Sequence, residues 1–259
     1  MELDGTPAAA EDIRSLALIN YGHFTSMRVE DHRVRGLGMH LQRLVDDCHA
    51  VFDADLDPDR VRHLIGRVIR EVSGPIVVRV TVFDPQLTLG RPGGHAEPRV
   101  LITTRPAVAD GQLPPLRLQS RCYRRDLPSV KHVGLFGPLL HRRTAQRNGY
   151  DDVLFVDARS RISEGATWNV GFVDGDQVVW PDAEVLPGVT MRLLQQADSP
   201  PAIRAMTLSD LAQMTGAFAT NAATGVRPVS SIDSTGWPLD HPVIERLRRL
   251  YADVPLEPV

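Results

Sequence analysis

The stretch DLPSVKHVGLFGPLLHRR, residues 126–143, contains Lys131, the single lysine of the chain. Lysine and arginine together number 29, so the other 28 are arginine. Charge does not explain the exception, because arginine supplies the same charge. A primary amine sheds its proton when desolvated and adds to a carbonyl, whereas a guanidinium stays protonated and forms no imine. The competing account is mutational bias in an arginine-rich genome, and one residue does not decide between the two.

Working outward, 259 residues leave room for one large domain or two smaller ones around a buried core. A hydrophobic content of 42% and a charged content of 24% are those of an ordinary globular protein. The net charge of −3 gives no electrostatic reason to expect nucleic acid or an anionic membrane. No apolar run approaches the roughly 20 residues that span a bilayer. The opening MELDGTPAAAEDIR is acidic and alanine-rich, without the basic-then-apolar order of a signal peptide. Cys48 and Cys122 are far apart, and the 9 histidines are scattered with no HxH or HExxH string. The expectation is a cytoplasmic protein with neither disulfide nor metal.

Along the chain, residues 1–12 read as disordered. LALINYGHFTSMRV (16–29) reads as strand, with Asp31 turning the chain. Leu37, Leu41, Leu44, Val45, Cys48 and Phe52 recur at spacings of three and four, which predicts an amphipathic helix over about 37–53. Pro58 opens a second helix, to about residue 72, and PIVVRVTVF (75–83) and RVLITT (99–104) read as strands. Together these predict a small N-terminal α+β domain over 1–107. The Pro- and Gly-bearing residues 108–116 form the linker, and 117–259 a larger C-terminal domain that carries Lys131. In that second part a helix at about 135–148 stops at Asn148-Gly149. Short strands follow in DDVLFVD, RISEGAT, WNVGFVDG and QVVWP, then helices from about 189, 209 and 240 around a strand-like AFATNA. The strands and helices do not alternate strictly, and no GxGxxG or P-loop string is present, which argues against a Rossmann arrangement.

Several residues sit where packing alone does not call for them. Glu164 falls within a strand pattern in RISEGATWNVGFV, where a buried carboxylate needs a partner. Gly188-Val189-Thr190 stands directly before a helix, where free N–H groups and a hydroxyl suit a phosphate. ATNAATGVRP (219–228) is a small polar loop whose backbone can approach a ligand, and Arg43 occupies a polar position of the first helix. Each has a plain alternative: a cap for Thr190, a solvated edge for Glu164, surface for Arg43, a turn for the loop. An amine, a carboxylate, an arginine and a helix-start anion site together meet the needs of a phosphorylated aldehyde cofactor.

The order VKH, then SEGATWNVGF, then LPGVT resembles the class IV aminotransferases, the fold-type IV pyridoxal-phosphate enzymes. These include branched-chain and D-amino-acid aminotransferases and aminodeoxychorismate lyase. GHFTSMRV followed by MHLQRL is similar to the family's GDGxFET and eHlxRL strings, so the likeness spans roughly residues 20–232. It implies a two-domain α+β fold, with a small N-terminal α/β sandwich and a larger barrel-like C-terminal domain. It further implies pyridoxal 5'-phosphate at the domain interface and a homodimer.

By the same resemblance Lys131 is the Schiff-base lysine and proton carrier, and Glu164 faces the pyridine nitrogen. Arg43, Val189 and Thr190 hold the phosphate, with Asn169 also at the cofactor. Asn221, Ala222 and Ala223 fall at a second phosphate loop; its usual hydroxyls are displaced here to Thr220 and Thr224, which leaves backbone N–H groups to serve. Phe24, Ser26, Arg79, Tyr123 and Arg125 are the substrate-side candidates. Arg79 stands near the arginine of a Tyr-x-Arg strand that takes a substrate carboxylate in branched-chain aminotransferases, and Arg121, Arg124 and Arg125 compete for that role. The expected reaction is amino transfer between an amino acid or amine and a keto acid. Thr25 and Ser26 lean the other way, toward a lyase that releases pyruvate from aminodeoxychorismate. A non-catalytic relative of the scaffold is the third reading; retention of Lys131 and Glu164 argues against it.

Overall fold

The structure, a computed structural model, describes residues 1–108, 113–198 and 200–259. The N-terminal part runs β1 (Glu2–Leu3), β2 (Thr6–Pro7), α1 (Arg14–Ile19), β3 (His23–Glu30), β4 (Arg33–Arg35), α2 (Leu37–Phe52), α3 (Pro58–Ile69), β5 (Ile76–Phe83) and β6 (Arg99–Pro106). It continues with β7 (Leu116–Cys122), α4 (Phe136–Arg147), β8 (Asp152–Val156), β9 (Ile162–Gly165), β10 (Asn169–Asp174) and β11 (Gln177–Pro181). Then come α5 (Val189–Ala197), β12 (Ala202–Arg204), a 3-10 turn (Leu208–Gln213), β13 (Gly216–Asn221), β14 (Gly225–Ile232), β15 (Thr235–Gly236), α6 (Pro242–Asp253) and β16 (Leu256–Pro258). Two units result: Met1–Ala107 with Val130–Gly134 and Pro255–Val259, and Val108–Ser129 with Leu135–Val254.

The first unit is a seven-stranded sheet in the order β16-β4-β3-β5-β6-β1-β2. Leu37, Leu41, Leu44, Cys48 and Phe52 line the buried stripe of α2 and share a core with Met27, Val29, Val78 and Val80 of the sheet. The α3 helix starts where the sequence signals it, with Pro58 in the first turn and the Asp57 carboxylate accepting the Asp59 N–H at 2.9 Å. Gly22, at the entry to β3, lies so close to β5 that a Cβ there would sit 2.5 Å from the Val82 carbonyl oxygen.

The second unit is built on a closed barrel, β10-β13-β14-β7-β8-β9, in which β9 returns to pair with β10. The β14–β7 and β7–β8 pairs are parallel and the rest antiparallel, with α4 as the crossover from β7 to β8. Phe172, Leu118, Leu154 and Val170 belong to one packed cluster, while Phe218 and Trp180 pack with α5 and α6. Gly149, with φ +85°, follows α4 as the Asn148-Gly149 stop predicts. The α+β fold with a small N-terminal sandwich and a C-terminal barrel is thus the one expected.

Four expectations change. Residues 1–12 are not simply disordered: β1 pairs with β6 and Leu3 is 1% exposed, because Asp4 accepts the Val100 N–H and binds Arg60 and Arg99. Residues 16–19 are helical, since the chain turns at Asn20 in the left-handed region before the strand begins. The segment carrying Lys131 belongs with the N-terminal unit, and so does the last strand, which pairs with β4. Of the expected linker, residues 109–112 lie outside the described residues, and β7 already begins at Leu116.

Leu44 is fully buried and Leu18 is 71% exposed. Leu44→Ala is expected to lower unfolding free energy by about 2–5 kcal/mol, against under about 0.5 kcal/mol for Leu18→Ala, in urea titrations.

Candidate active site

In the first unit, register places the groups. Phe24 N–H donates to the Lys131 carbonyl and Val133 N–H to the Gly22 carbonyl, each at 2.9 Å, so residues 131–133 extend the sheet at the edge of β3. With His23 opposite His132, Lys131 falls opposite Phe24. Across the other edge Phe24 faces Thr81 and Ser26 faces Arg79. Alternation along a strand then gives Lys131, Phe24, Ser26, Arg79 and Thr81 one common face. The Lys131 Nζ stands 4.9 Å from the Phe24 ring centroid and the Arg79 guanidinium carbon 3.6 Å from it. Both are within cation–π range of the same ring. Arg79 Nε donates to Thr81 Oγ1 at 3.2 Å.

On the opposite face Thr25 Oγ1 and His40 Nδ1 share a 2.7 Å hydrogen bond inside the core. His40, Arg43 and Asp47 follow one another at helical spacing along α2. Asp47 Oδ2 accepts the backbone N–H of Lys131 at 3.0 Å. Arg43 and Lys131 both act electrostatically on His40 and on Asp47, so the two cations belong to this cluster.

In the second unit Glu164 occupies the pair that closes the barrel, opposite Asn169. Its side chain is 6% exposed and meets the 8% exposed Arg125, with Nη1 3.3 Å from Oε1. The other carboxylate oxygen accepts the Leu186 N–H at 3.3 Å. Glu164 and Arg125 line a cleft of about 490 Å³ with Tyr123, whose ring packs on Phe155 and His141. Asn169 Nδ2 donates to the Leu186 carbonyl at 2.8 Å, and a Cβ at Gly188 would lie 2.0 Å from Asn169 Oδ1. Asn169 therefore shapes the loop that leads into α5. Gly188 precedes that helix with no side-chain cap and no acidic residue in the first turn, which leaves its N–H groups suited to an anion. Thr190, buried, donates to Tyr251 Oη at 3.5 Å. Tyr251 also packs at Gly225, so one ring touches the residues beside both expected phosphate loops.

Three of the expected site positions already have protein partners. Arg125, expected at a substrate carboxylate, is paired with Glu164, since two buried charges cost far less together than apart. Asn169, expected at the cofactor, has its amide nitrogen committed to Leu186. In the 221–224 loop the Asn221 Oδ1 accepts from the N–H groups of Ala223 and Thr224 and from the Thr224 hydroxyl, each at 3.0 Å. That leaves Ala222, alone among residues 222–224, with its N–H outside the turn. The buried Thr220 hydroxyl has no hydrogen-bond partner among the described residues, so it is the loop's available side-chain donor. Sequence reasoning missed Asp47 and His40 beside Lys131 in the first unit, and Tyr251 beside Thr190 in the second. For Asp47 a signal existed: it lies four residues after Arg43, between the buried Leu44 and Cys48.

The first unit presents the Lys131 amine at a sheet edge, and the second a paired carboxylate at the barrel seam. The model of the family described as amino-transferase class IV matches residues 22–232, and the chain belongs to that family. Its enzymes are of fold type IV and work with pyridoxal phosphate. A "Probable branched-chain-amino-acid aminotransferase" of Rickettsia felis is 27% identical over 121 residues, 44% of this chain and 42% of that protein. The aligned part is thus under half of that relative's length. Among solved structures, a branched-chain aminotransferase from Thermoproteus uzoniensis with norvaline aligns at TM-score 0.84 and 18% identity, over 97% of this chain and 92% of that one. A "Putative 4-amino-4-deoxychorismate lyase" from Legionella pneumophila aligns at TM-score 0.80 and 22% identity, over 96% of each chain. A hypothetical aminotransferase from Mycobacterium tuberculosis in its PLP-bound form aligns at TM-score 0.78 and 22% identity, over 96% and 93%. These structural likenesses establish the fold.

Two outcomes follow from the buried groups. Arg125→Leu strands a buried carboxylate and is expected to cost about 3–5 kcal/mol, with Arg125→Leu/Glu164→Gln recovering most of it, in urea unfolding. A cost below about 1 kcal/mol for the single variant means that the pair is solvated. The second concerns acid. Burial, with the nearby Arg43 and Lys131 charges, pulls His40 down to about 3, and burial pulls His23 down to about 4. The unfolded chain binds these protons near pH 6.5 and the folded chain does not, so stability falls as pH drops from 6.5 toward 4. Asp47, raised to about 6 by burial, opposes this, because the folded chain takes its proton first as pH falls from 6 toward 3.8. His40→Asn keeps an acceptor or donor for Thr25 and is expected to flatten the acid loss; an unchanged slope of urea midpoints against pH rules His40 out as its source.

Proposed function

We propose that this chain is a pyridoxal-phosphate-dependent aminotransferase that moves an amino group between an amino acid or amine and a keto acid. The observation that carries the reading is the Phe24 ring with the Lys131 amine and the Arg79 guanidinium both on it, at 4.9 and 3.6 Å. A substrate that offers its Cα proton to Nζ would find Arg79 on the same sheet face as a partner for its α-carboxylate. Bound pyridoxal phosphate supplies an aldehyde for the substrate amine and a protonated ring that takes up the electrons of the broken Cα–H bond.

The donors fit that cofactor. In the second unit the Val189 and Thr190 N–H groups and the Thr220 hydroxyl are candidate phosphate donors; in the first unit Arg43 is the candidate. Glu164, balanced by Arg125, is the carboxylate for a protonated ring nitrogen, and burial strengthens its hold by excluding water. Lys131 Nζ would take the substrate's Cα proton and hold it for return, which needs the amine neutral when it accepts. Phe24 keeps water off that amine from one side. Ser26 shares the face of Phe24 and Arg79 and serves as a hydroxyl beside the substrate. A homodimer is part of the proposal: Phe136, Leu139 and Leu140 form an exposed apolar face on α4, with Phe136 at 78% exposure.

Ser26 also favours a second reading, a lyase of the aminodeoxychorismate type, because a hydroxyl on the lysine's face can carry a proton to a leaving group, while Thr25 is turned to His40. The test separates them. Protein loaded with pyridoxal phosphate is given an amino acid with a keto acid, or aminodeoxychorismate alone, and keto-acid exchange and pyruvate are measured. Exchange is expected, abolished in Lys131→Ala together with the visible absorbance of the bound cofactor. Arg79→Gln is expected to raise KM for amino acids by about 10- to 100-fold and to spare amines without a carboxylate. Equal effects on both substrates remove Arg79 from the carboxylate role; pyruvate without a keto acid selects the lyase.

A further inference from the structure

We propose that Asp47 is the positioning residue that fixes Lys131: its carboxylate takes the lysine's backbone N–H in place of the sheet's own carbonyl, and so sets where the amine stands. This deepens the aminotransferase reading and rests on it for the catalytic consequence, though not for the contact itself.

The starting point is an anomaly on α2. Asp46 and Asp47 are neighbours with different fates. Asp46 is exposed and accepts a hydrogen bond from Gln42, as a surface aspartate does. Asp47 is 4% exposed, on the same side of the helix as Leu44 and Cys48. Burying a carboxylate costs several kcal/mol unless strong hydrogen bonds or charges offset it. Its carboxylate accepts the backbone N–H of Lys131, 84 residues away, at 3.0 Å. Arg43, one turn back on α2, and Lys131 itself add favourable charge, while Asp46 opposes.

The edge ladder gives the contact its meaning. Antiparallel pairing of Lys131 with Phe24 consists of two reciprocal bonds. One is made, Phe24 N–H to the Lys131 carbonyl at 2.9 Å. The Lys131 N–H turns to Asp47. The peptide groups on the two sides of the lysine Cα are therefore tied to different elements, one to β3 and the other to α2. Val133 N–H, bound to the Gly22 carbonyl at 2.9 Å, holds the segment two residues on. With its Cα fixed this way, the four-carbon stem has only its own rotamers with which to carry Nζ over Phe24. A reacting group displaced by about 1 Å loses on the order of 100-fold in rate, so such a clamp acts on turnover rather than on binding. A neutral acceptor would make the same bond; the carboxylate makes it charge-assisted and shorter-ranged in its freedom.

The test uses the full-length protein, first without cofactor. Amide hydrogen exchange across residues 130–133 is compared in the wild type, Asp47→Asn and Asp47→Ala. Loss of a charge-assisted hydrogen bond is expected to speed exchange about 10-fold or more in Asp47→Ala, with Asp47→Asn within about 3-fold of the wild type. If Asp47→Ala does not fold, Asp47→Leu, of similar volume and without an acceptor, takes its place. With cofactor and an amino acid substrate, kcat is expected to fall about 10- to 100-fold in the variant lacking the acceptor, with KM within about 2-fold and most of kcat restored in Asp47→Asn. Unchanged exchange overturns the clamp. Faster exchange with unchanged kcat overturns the positioning role. Absence of amino transfer in the wild type sinks the functional reading and leaves the exchange result to stand alone.

Discussion

Two backbone hydrogen bonds, from Phe24 to Lys131 and from Val133 to Gly22, decide where the one amine of this protein faces. Because side chains alternate along a strand, a slip of one residue in that pairing would turn the lysine to the α2 face of the sheet, among Thr25, Met27 and Val29. The register is held from three sides. Gly22 admits the close approach to Val82, His23 and His132 sit opposite each other, and the Asp47 carboxylate receives the Lys131 N–H. The chain departs from the barrel-bearing unit at Ser129 and rejoins it at Leu135, so these five residues depend on the sheet for their conformation.

The second unit meets a comparable constraint by steric means. Its barrel closes through the Glu164–Asn169 pair, and a buried carboxylate at a seam is stable only if its charge is met. Arg125 meets it, and the surrounding glycines make room for the side chains that frame it. At Gly165 a Cβ would lie 2.0 Å from the Trp168 ring, and at Gly188 the same distance from Asn169. Trp168 in turn donates its indole N–H to Asp152 at 2.9 Å, and Arg142 grips that same carboxylate. Residues that the sequence shows as a string, SEGATWN, are in the fold an alternation of one charged group and the spaces cut for its neighbours.

What the sequence reveals depends on how locally each feature is determined. The α2 and α3 helices were legible because their apolar spacing and the Asp57-Pro58 start are properties of a dozen consecutive residues. Lys131 was legible through its uniqueness, and Glu164 through a charge in an apolar strand. Contacts that span the chain were not. Arg125 read as a candidate for a substrate carboxylate because its partner lies 39 residues away, and Asp47 did not stand out because its partner lies 84 away. The two-residue β1 and three-residue β16 are too short to show alternation; they are strands because a sheet edge is offered to them. Thr190 stands at a helix start as expected, whereas the loop expected over 219–228 narrows to a turn at 221–224, because β13 runs to Asn221 and β14 begins at Gly225; which N–H groups remain open there depends on Asn221, whose side chain could equally have faced outward.

The charge economy of the chain bears on the same chemistry. Around the barrel, Arg142 pairs with Asp152, Arg161 with Asp157, Arg204 with Asp174 and Arg246 with Asp198, all through guanidinium groups. Lysine would serve as charge at several of these exposed sites, where such pairs contribute little to stability. It would not be equivalent toward an aldehyde. Guanidinium groups neither lose their proton near neutral pH nor condense with a carbonyl, so with 28 arginines the Lys131 side-chain amine is unique. In a protein with scattered lysines, selectivity for one amine must come from its environment alone. Here composition has already removed the side-chain competitors, and the sheet edge, Phe24 and Asp47 are left to determine the amine's position.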